Sequence, residues 1–293
     1  MKANLSRRDF LAVCGLGLTV GLVGCGSTSG SSSSSTDSSS SSDSSASDSS
    51  SSSGDYNLVN DGKLTMISNF NFPPFVSIDP DSKDFVGFDV DMYKEICKRL
   101  NLAENILPSV QFDTIVPTIK QGGKADISLG AITITDARKE EVAMSDPYLD
   151  SNQSIVVKKG ASATTQDALN ASGMQIAVQS GTTGEDWAKE NLPNATIVPL
   201  DDIIQAMTGV QSGLYNACVA DLPVTQYEIK IAYSDLEIPD GGEIPTGEQY
   251  GAVINKNNTA LLKAVNKALK DIKADGTQDS IEKTWFGSVI SSS

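Results

Sequence analysis

The chain of 293 residues contains no histidine. Histidine is the most common general base and metal ligand near neutral pH, so its absence removes the usual centre of acid–base and metal chemistry. Cysteine is scarce as well, and without histidine Cys97 and Cys218 make a poor metal site. We therefore expect no catalytic residue, no bound metal and no cofactor.

Positive charge is also in short supply. The chain has 22 lysines and arginines against 37 aspartates and glutamates, which gives a formal net charge of −15. An acidic protein repels the phosphate backbone of DNA and RNA, so we expect no nucleic-acid partner.

The amino terminus has the layout of a bacterial export signal. Residues 1–8 are basic, and residues 11–24 are apolar, glycine-rich and too few for a stable membrane span. The sequence around Arg7 and Arg8 resembles a twin-arginine motif, although both arginines also fit the basic region of an ordinary secretory signal. Residues 22–25, Leu-Val-Gly-Cys, resemble a lipobox. We predict a signal peptide over residues 1–24 and a lipidated Cys25.

Serine dominates the segment that follows the lipobox. Too few apolar side chains are present to offset the entropy of ordering this segment, which predicts a disordered tether over residues 25–54. One acyl chain binds a membrane only marginally, so we expect several on Cys25. The folded part would then stand at the extracellular face of the cell membrane.

Apolar patterns after residue 55 alternate between short strands and helices, which predicts an α/β fold with mostly parallel strands. Strands are predicted near residues 64–68, 125–129, 155–158, 175–179, 196–199, 217–220 and 250–254. Helices are predicted near residues 88–100, 114–121, 135–141, 183–191, 201–209, 222–229, 261–272 and 278–286. Cys97 falls on a helix and Cys218 on a strand, and we predict two buried free thiols, with a disulfide as the alternative.

The predicted folded part, residues 55–293, is near the size at which one hydrophobic core divides into two lobes. We predict that residues 55–155 and 250–293 form lobe 1 and that residues 156–249 form lobe 2. Two crossing strands, at residues 154–158 and 249–253, would act as a hinge. A ligand would sit in the cleft between the lobes.

Seven short motifs follow one another along residues 62–287. They begin at Phe72 (FPPF), Val86 (VGFDVD), Ile132 (ITITDARK), Ser145 (SDPY), Gln179 (QSGTTG), Ala274 (ADGT) and Trp285 (WFG). In this order and spacing they carry a resemblance to the polar amino-acid-binding lipoproteins of bacterial ABC importers, the extracellular solute-binding proteins of family 3. The resemblance implies a type II periplasmic-binding-protein-like fold, a two-lobed Venus flytrap that closes on an amino acid and docks on a permease. We expect a monomer.

Two groups are predicted to hold the carboxylate of the amino acid. The planar guanidinium of Arg138 can grip a carboxylate through two parallel hydrogen bonds, although most arginines lie on surfaces. Thr183 opens a predicted helix whose amino terminus favours an anion, although a plain helix cap would also use a threonine there. The resemblance implies that these residues clamp the carboxylate from opposite lobes.

A second group is predicted to hold the ammonium. Asp221 follows three apolar residues at a strand end, where it would face the cleft or cap the next helix. The resemblance favours ammonium recognition, assisted by the backbone carbonyl of Ala131. The hydroxyl of Thr133 would reach the ligand too, although threonine is also an ordinary strand residue.

Four more positions match the resemblance. Phe72 and Phe112 would sandwich the ligand, although most phenylalanines pack in cores. Asn69 and Gln179 would select the ligand side chain. Many relatives carry Asp at the position of Asn69, and neither residue here is charged. Burying an unpaired charge is costly, so we favour an uncharged polar ligand such as glutamine or cystine.

Two other functions remain open. A dehydratase of the same fold would need an acid or base, for which Glu185, Asp186 and Tyr148 are available. A tethered sensor would present its ligand to a receptor. We expect a binding protein and no enzyme.

Overall fold

The computed structural model describes residues 56–290. The predicted export signal, the lipid on Cys25 and the tether lie outside the described residues. Within residues 56–290, no helix combines the length and the apolar character that a membrane span requires.

The described chain alternates between strands and helices. The strands are β1 (Lys63–Met66), β2 (Asn71–Phe72), β3 (Val76–Ile78), β4 (Phe85–Val86), β5 (Ala103–Ile106), β6 (Ile127–Ser128), β7 (Ala143–Met144), β8 (Leu149–Lys158), β9 (Gln175–Gln179), β10 (Thr196–Leu200), β11 (Ala217–Asp221), β12 (Leu236–Glu237), β13 (Glu243–Tyr250) and β14 (Val253–Ile254). The helices are α1 (Phe88–Leu100), α2 (Ile115–Gln121), α3 (Asp136–Glu141), α4 (Gln166–Leu169), α5 (Thr183–Asn191), α6 (Ile203–Ser212), α7 (Leu222–Ile231), α8 (Thr259–Ala274) and α9 (Thr277–Phe286). A 3₁₀ turn, Phe112–Thr114, precedes α2.

The first sheet has the strand order β5-β1-β6-β14-β7. β1 pairs parallel with β5 and β6, whereas β14 runs antiparallel to β6 and β7. A small antiparallel sheet, β2-β3-β4, precedes α1. The helix α1 buries Val90, Tyr93 and Ile96 on one face, as its apolar spacing predicts.

The second sheet has the order β10-β9-β11-β8-β12, with β13 also paired to β8. β9 lies parallel to β10 and β11, and β8 runs antiparallel to β11, β12 and β13. The chain enters this sheet between Met144 and Leu149 and leaves it between Tyr250 and Val253. The division into lobes stays a prediction.

The expectation of mostly parallel strands holds for only part of each of the two larger sheets, and the sheet β2-β3-β4 is entirely antiparallel. Parallel pairs join strands that a crossover helix connects, such as β1 with β5 and β9 with β10. Antiparallel pairs occur where the chain passes between sheets, through β8, β13 and β14. The strand β13 was not predicted, because its sequence EIPTGEQY contains proline and glycine and shows no apolar alternation.

Cys97 and Cys218 are both buried and unbridged, which confirms the prediction of free thiols. They lie on α1 and β11. Burial raises the pKa of both thiols to about 12, so neither is a reactive thiolate near neutral pH.

Candidate functional site

A small cavity lies where segments of the two larger sheets meet. Its volume is about 10 Å³, which is room for about one water molecule. All of the predicted ligand-binding residues except Asn69 and Gln179 line it. The lining consists of Phe72, Phe112, Ala131, Thr133, Arg138, Thr182, Thr183 and Asp221.

Arg138 lies in α3 and links the two sides of this cavity. Its Nη1 donates to the backbone oxygen of Thr133 at 2.7 Å, and its Nη2 donates to that of Gly181 at 3.1 Å. The guanidinium lies 5.4 Å from the centroid of the Phe112 ring, a cation–π distance. Burial lowers the pKa of Arg138, and nearby carboxylates oppose this shift. The guanidinium remains charged at neutral pH.

The amino terminus of α5 forms the opposite side of the cavity. Thr182 caps this helix, since its Oγ1 accepts a hydrogen bond from the backbone N–H of Glu185 at 3.1 Å. The Glu185 carboxylate in turn accepts from the backbone N–H of Gly181 at 2.7 Å. Capping of this helix was the alternative role for Thr183, but Thr182 caps it instead. The Thr183 side chain is therefore available to the cavity.

Asp221 ends β11 and is 4% exposed. It occupies the cap position of α7, yet its side chain makes no capping bond. Instead its carboxylate accepts hydrogen bonds from the hydroxyl of Tyr250 and, at 2.7 Å, from Nε2 of Gln153. Burial raises the pKa of Asp221 to about 7, and the nearby carboxylate of Glu248 adds to the rise. The two hydrogen bonds and Arg138 oppose it.

A buried carboxylate fixes the backbone at Ala131, which has φ of 52°. Residues other than glycine rarely adopt this left-handed conformation, so it requires support. Asp89 supplies that support, because its Oδ2 accepts from the N–H of Ala131 at 2.6 Å and from the hydroxyl of Tyr148 at 2.9 Å. Burial raises the pKa of Asp89 to about 7.

Two threonine hydroxyls meet across the cavity. Oγ1 of Thr133 lies 3.4 Å from Oγ1 of Thr183. Both hydroxyls bond to the same carboxylate oxygen, Oε2 of Glu248, at 3.2 and 3.1 Å. Nε2 of Gln153 also donates to this oxygen, at 2.9 Å.

Sequence reasoning missed four residues of this network: Asp89, Gln153, Glu248 and Tyr250. Gln153 is a fully buried amide in β8, and a buried polar group of this kind requires a partner. Its neighbours Asn152 and Ser154 are polar as well, so no local pattern marked it as buried. Glu248 gave no signal either, because it lies in an irregular, largely exposed strand.

Asn69 and Gln179 are buried beside the cavity residues and bond to each other. Nδ2 of Asn69 donates to the backbone oxygen of Val110 at 2.8 Å, which fixes the orientation of that amide. Nε2 of Gln179 donates to Oδ1 of Asn69 and to the backbone oxygen of Asp201, both at 3.3 Å. Oε1 of Gln179 is consequently a buried acceptor without a hydrogen-bond partner.

A larger groove of about 770 Å³ lies between β8, β13, α7 and the end of α9. It shares none of its lining with the predicted ligand-binding residues. Glu248 is part of its lining, so this carboxylate reaches the two threonines from the groove side.

The chain is similar to known binding proteins along most of its length. The ABC transporter glutamine-binding protein of Bacillus subtilis is 32% identical over 209 residues, which cover 71% of this chain and 75% of the relative. The solved structure of an ancestral arginine-binding protein bound to glutamine is 36% identical, with a TM-score of 0.71, and the match covers 77% of this chain and 98% of that one.

A second solved structure is that of an ancestral amino acid-binding protein described as a precursor of cyclohexadienyl dehydratase. It is 36% identical, with a TM-score of 0.70, and the match covers 77% of this chain and 96% of that one. These neighbours confirm the predicted type II periplasmic-binding-protein-like fold. The family model for bacterial extracellular solute-binding proteins, family 3, matches residues 64–288. This chain therefore belongs to the bacterial extracellular solute-binding proteins of family 3.

Proposed function

We propose that this protein is the substrate-binding subunit of an ABC importer and that it binds a polar, uncharged amino acid, with glutamine first and cystine second. One observation carries the proposal: a cationic group and a buried carboxylate, Arg138 and Asp221, line the same small cavity. An amino acid carries one carboxylate and one ammonium, so its two charges match the two poles of this site.

The cationic pole consists of Arg138 and the amino terminus of α5. Arg138 already donates hydrogen bonds to two backbone oxygens, of Thr133 and Gly181. Both oxygens are neutral acceptors, which a carboxylate would replace with stronger, charge-assisted bonds. The helix amino terminus at Thr183 adds its exposed N–H groups and its dipole.

The anionic pole consists of Asp221 and the carbonyl of Ala131. Asp221 is nearly inaccessible to water, so an ammonium that reached it would pair in a site of low dielectric. The left-handed backbone at Ala131, held by Asp89, fixes the direction of the carbonyl beside it. Removing one partner of a buried, hydrogen-bonded charge pair costs about 2–5 kcal/mol of binding.

The cavity is too small for an amino acid, so the cleft must open to admit one. The bonds that close it join segments of different sheets, as in the contact between Arg138 and Gly181. A ligand that touched both sides would favour the closed state only to the extent that it binds that state better. The predicted lobes, 55–155 with 250–293 and 156–249, are the units proposed to move.

The choice of glutamine rests on Asn69 and Gln179. Neither carries a charge, and Oε1 of Gln179 is a buried acceptor that needs a donor. A ligand amide supplies an N–H donor without bringing a second buried charge. A glutamate side chain would instead bring two acceptors and a negative charge to this pair.

A catalytic role has little support at the residues that a dehydratase would need. Glu185 is engaged with Gly181 and Lys189 at the start of α5, and Tyr148 donates to Asp89. Asp186 is exposed. Their contacts fit capping and scaffolding, and we propose transport without chemistry on the ligand. A sensor would require a receptor in place of the permease.

A thermal-shift panel of the twenty amino acids and cystine tests the ligand class. A ligand at 100 times its Kd adds about 2.7 kcal/mol to the free energy of unfolding. Arg138→Ala and Asp221→Ala should each abolish the shift, whereas the exposed controls Lys139→Ala and Asp235→Asn should keep it. Stabilisation by sugars, metal ions or peptides alone would refute the proposal.

The proposed location depends on Cys25, which we propose to be lipidated at the extracellular face of the membrane. Cys25→Ser should move the protein from the membrane fraction to the soluble fraction. Retention of Cys25→Ser in the membrane fraction would contradict the anchor without affecting the ligand proposal.

A further inference from the structure

Glu248 is a third charged group at the site, beside Arg138 and Asp221, and the match to the two charges of an amino acid does not account for it. It lies in β13, after the bulge that separates it from Ile244 in the pairing with β8. Its Oε2 collects three hydrogen bonds, from the hydroxyls of Thr133 and Thr183 and from the amide of Gln153. It therefore contacts residues on both sides of the cavity.

The hydroxyls have only one proton each to donate. Within this cluster each threonine proton goes either to Oε2 of Glu248 or to the other threonine oxygen, so neither hydroxyl has a proton left for a ligand. Nε2 of Gln153 also donates to Oγ1 of Thr183 at 3.3 Å and occupies one of its lone pairs, so Oγ1 of Thr133 keeps the greater capacity to accept. Those oxygens then act as acceptors for anything that enters the cavity.

The side-chain amide of Gln153 is also held in one orientation, with its nitrogen facing the two carboxylates. Its Nε2 donates to Oδ1 of Asp221 at 2.7 Å and to Oε2 of Glu248 at 2.9 Å. The amide thus holds the two carboxylates near each other without neutralising either. Glu248 does not line the small cavity, so it acts on a ligand through the residues that do.

We infer that Glu248 is a positioning residue for ligand specificity: by engaging the hydroxyl protons of Thr133 and Thr183, it leaves the oxygen of Thr133 as an acceptor for the ligand's ammonium, while Thr183 serves the carboxylate through its backbone N–H. This inference rests on the proposed function. It adds to that proposal a reason why the site requires an ammonium, since a ligand with no donor there would face the oxygen of Thr133 and the buried carboxylate of Asp221. An acceptor facing an acceptor leaves both without a partner.

Glu248→Gln is the informative variant. Its amide keeps the size of the side chain, loses the charge and offers N–H donors to the threonine oxygens, which frees the hydroxyl protons to point at the ligand. We expect the Kd for the amino acid to rise at least tenfold. The Kd for the same ligand without its α-amino group should stay equal or fall, so the preference for the ammonium shrinks.

The experiment uses calorimetry on the full chain with whichever of the twenty amino acids or cystine stabilises it most, and then with the des-amino acid of that ligand. Glu243→Gln, an exposed glutamate of the same strand, is the matched control and should change neither Kd. Glu248→Ala repeats the test without the new amide donors and should weaken the amino acid alone.

The outcomes separate the two proposals. If wild type binds an amino acid, Arg138→Ala does not, and Glu248→Gln binds both probes as wild type does, the positioning role is overturned while the binding function stands. Tighter binding of the amino acid by Glu248→Gln would also overturn it, since the carboxylate would then compete with the ligand. If no amino acid binds wild type, both proposals fail.

Discussion

Acidification should weaken amino-acid binding, because it protonates the carboxylate that we propose to pair with the ammonium. Burial raises the pKa of Asp221 to about 7 in the free protein. A free amino acid keeps both of its charges between pH 5.5 and 7.5. If only protein with ionised Asp221 binds it, the fraction of protein able to bind falls from about three quarters at pH 7.5 to about 3% at pH 5.5. The Kd then rises roughly 25-fold.

The stability of the free protein should change in the opposite direction. A carboxyl group whose folded pKa is raised contributes stability that is fully present below its unfolded pKa, near 4, and lost as the pH rises through about 7. From pH 7.5 to 5.5 this gain is about 2 kcal/mol for Asp221. The buried carboxyl groups of Asp89 and Glu228, whose pKa values are also about 7, act in the same direction. The melting temperatures of the free and liganded protein should therefore converge on acidification.

Isothermal titration calorimetry at pH 5.5, 6.5 and 7.5 measures the first effect directly. Repeating it in buffers of different ionisation enthalpy counts protons, and below pH 6.5 binding should release close to one proton. Asp221→Asn keeps the shape of the side chain and should bind weakly, with no proton release. A wild-type Kd that stays flat, or that falls at pH 5.5, would refute the assignment of Asp221 to the ammonium.

Three further predictions concern the scaffold around the site. Asp89→Ala leaves two buried donors without their acceptor and should lower the free energy of unfolding by about 1–3 kcal/mol, as measured by denaturant melts. Gly87→Ala would put a methyl group against a backbone carbonyl oxygen at φ of 137° and should lower the free energy of unfolding by about 3 kcal/mol or more. Gly213→Ala, at φ of 80° in open space, should lower it by about 1 kcal/mol. Equal losses of stability would contradict the steric account. Gly184→Ala would bring its methyl group 2.8 Å from Oε1 of Gln153. This change should raise the Kd for the amino acid about tenfold, with little change in melting temperature. An unchanged Kd would mean that the Gln153 amide is not needed for binding.

Local pattern was enough to predict many of the elements. The predicted helices at residues 88–100 and 183–191 coincide with α1 and α5, because the signals for them, the apolar spacing of α1 and the threonines at the start of α5, lie within or beside the segments themselves. The motif around Arg138 likewise gave the order strand, turn and short helix. Thr135 caps α3 through a bond from the backbone N–H of Arg138.

Elements without a local signal were missed. The strand β13 has no apolar alternation and forms because β8 offers it a partner more than eighty residues earlier in the chain. The three-stranded sheet β2-β3-β4 consists of strands of only two or three residues, too short for any periodicity.

Residue identity alone was enough to indicate the family, the two charged candidates Arg138 and Asp221, and the scarcity of groups for acid–base chemistry. Which groups those charges face depends on the packing of distant segments. Glu248 meets Thr133 across 115 positions of sequence and Thr183 across 65. No local pattern encodes such a contact, because it exists only after the two sheets have formed and the antiparallel strands between them have brought distant side chains to one point.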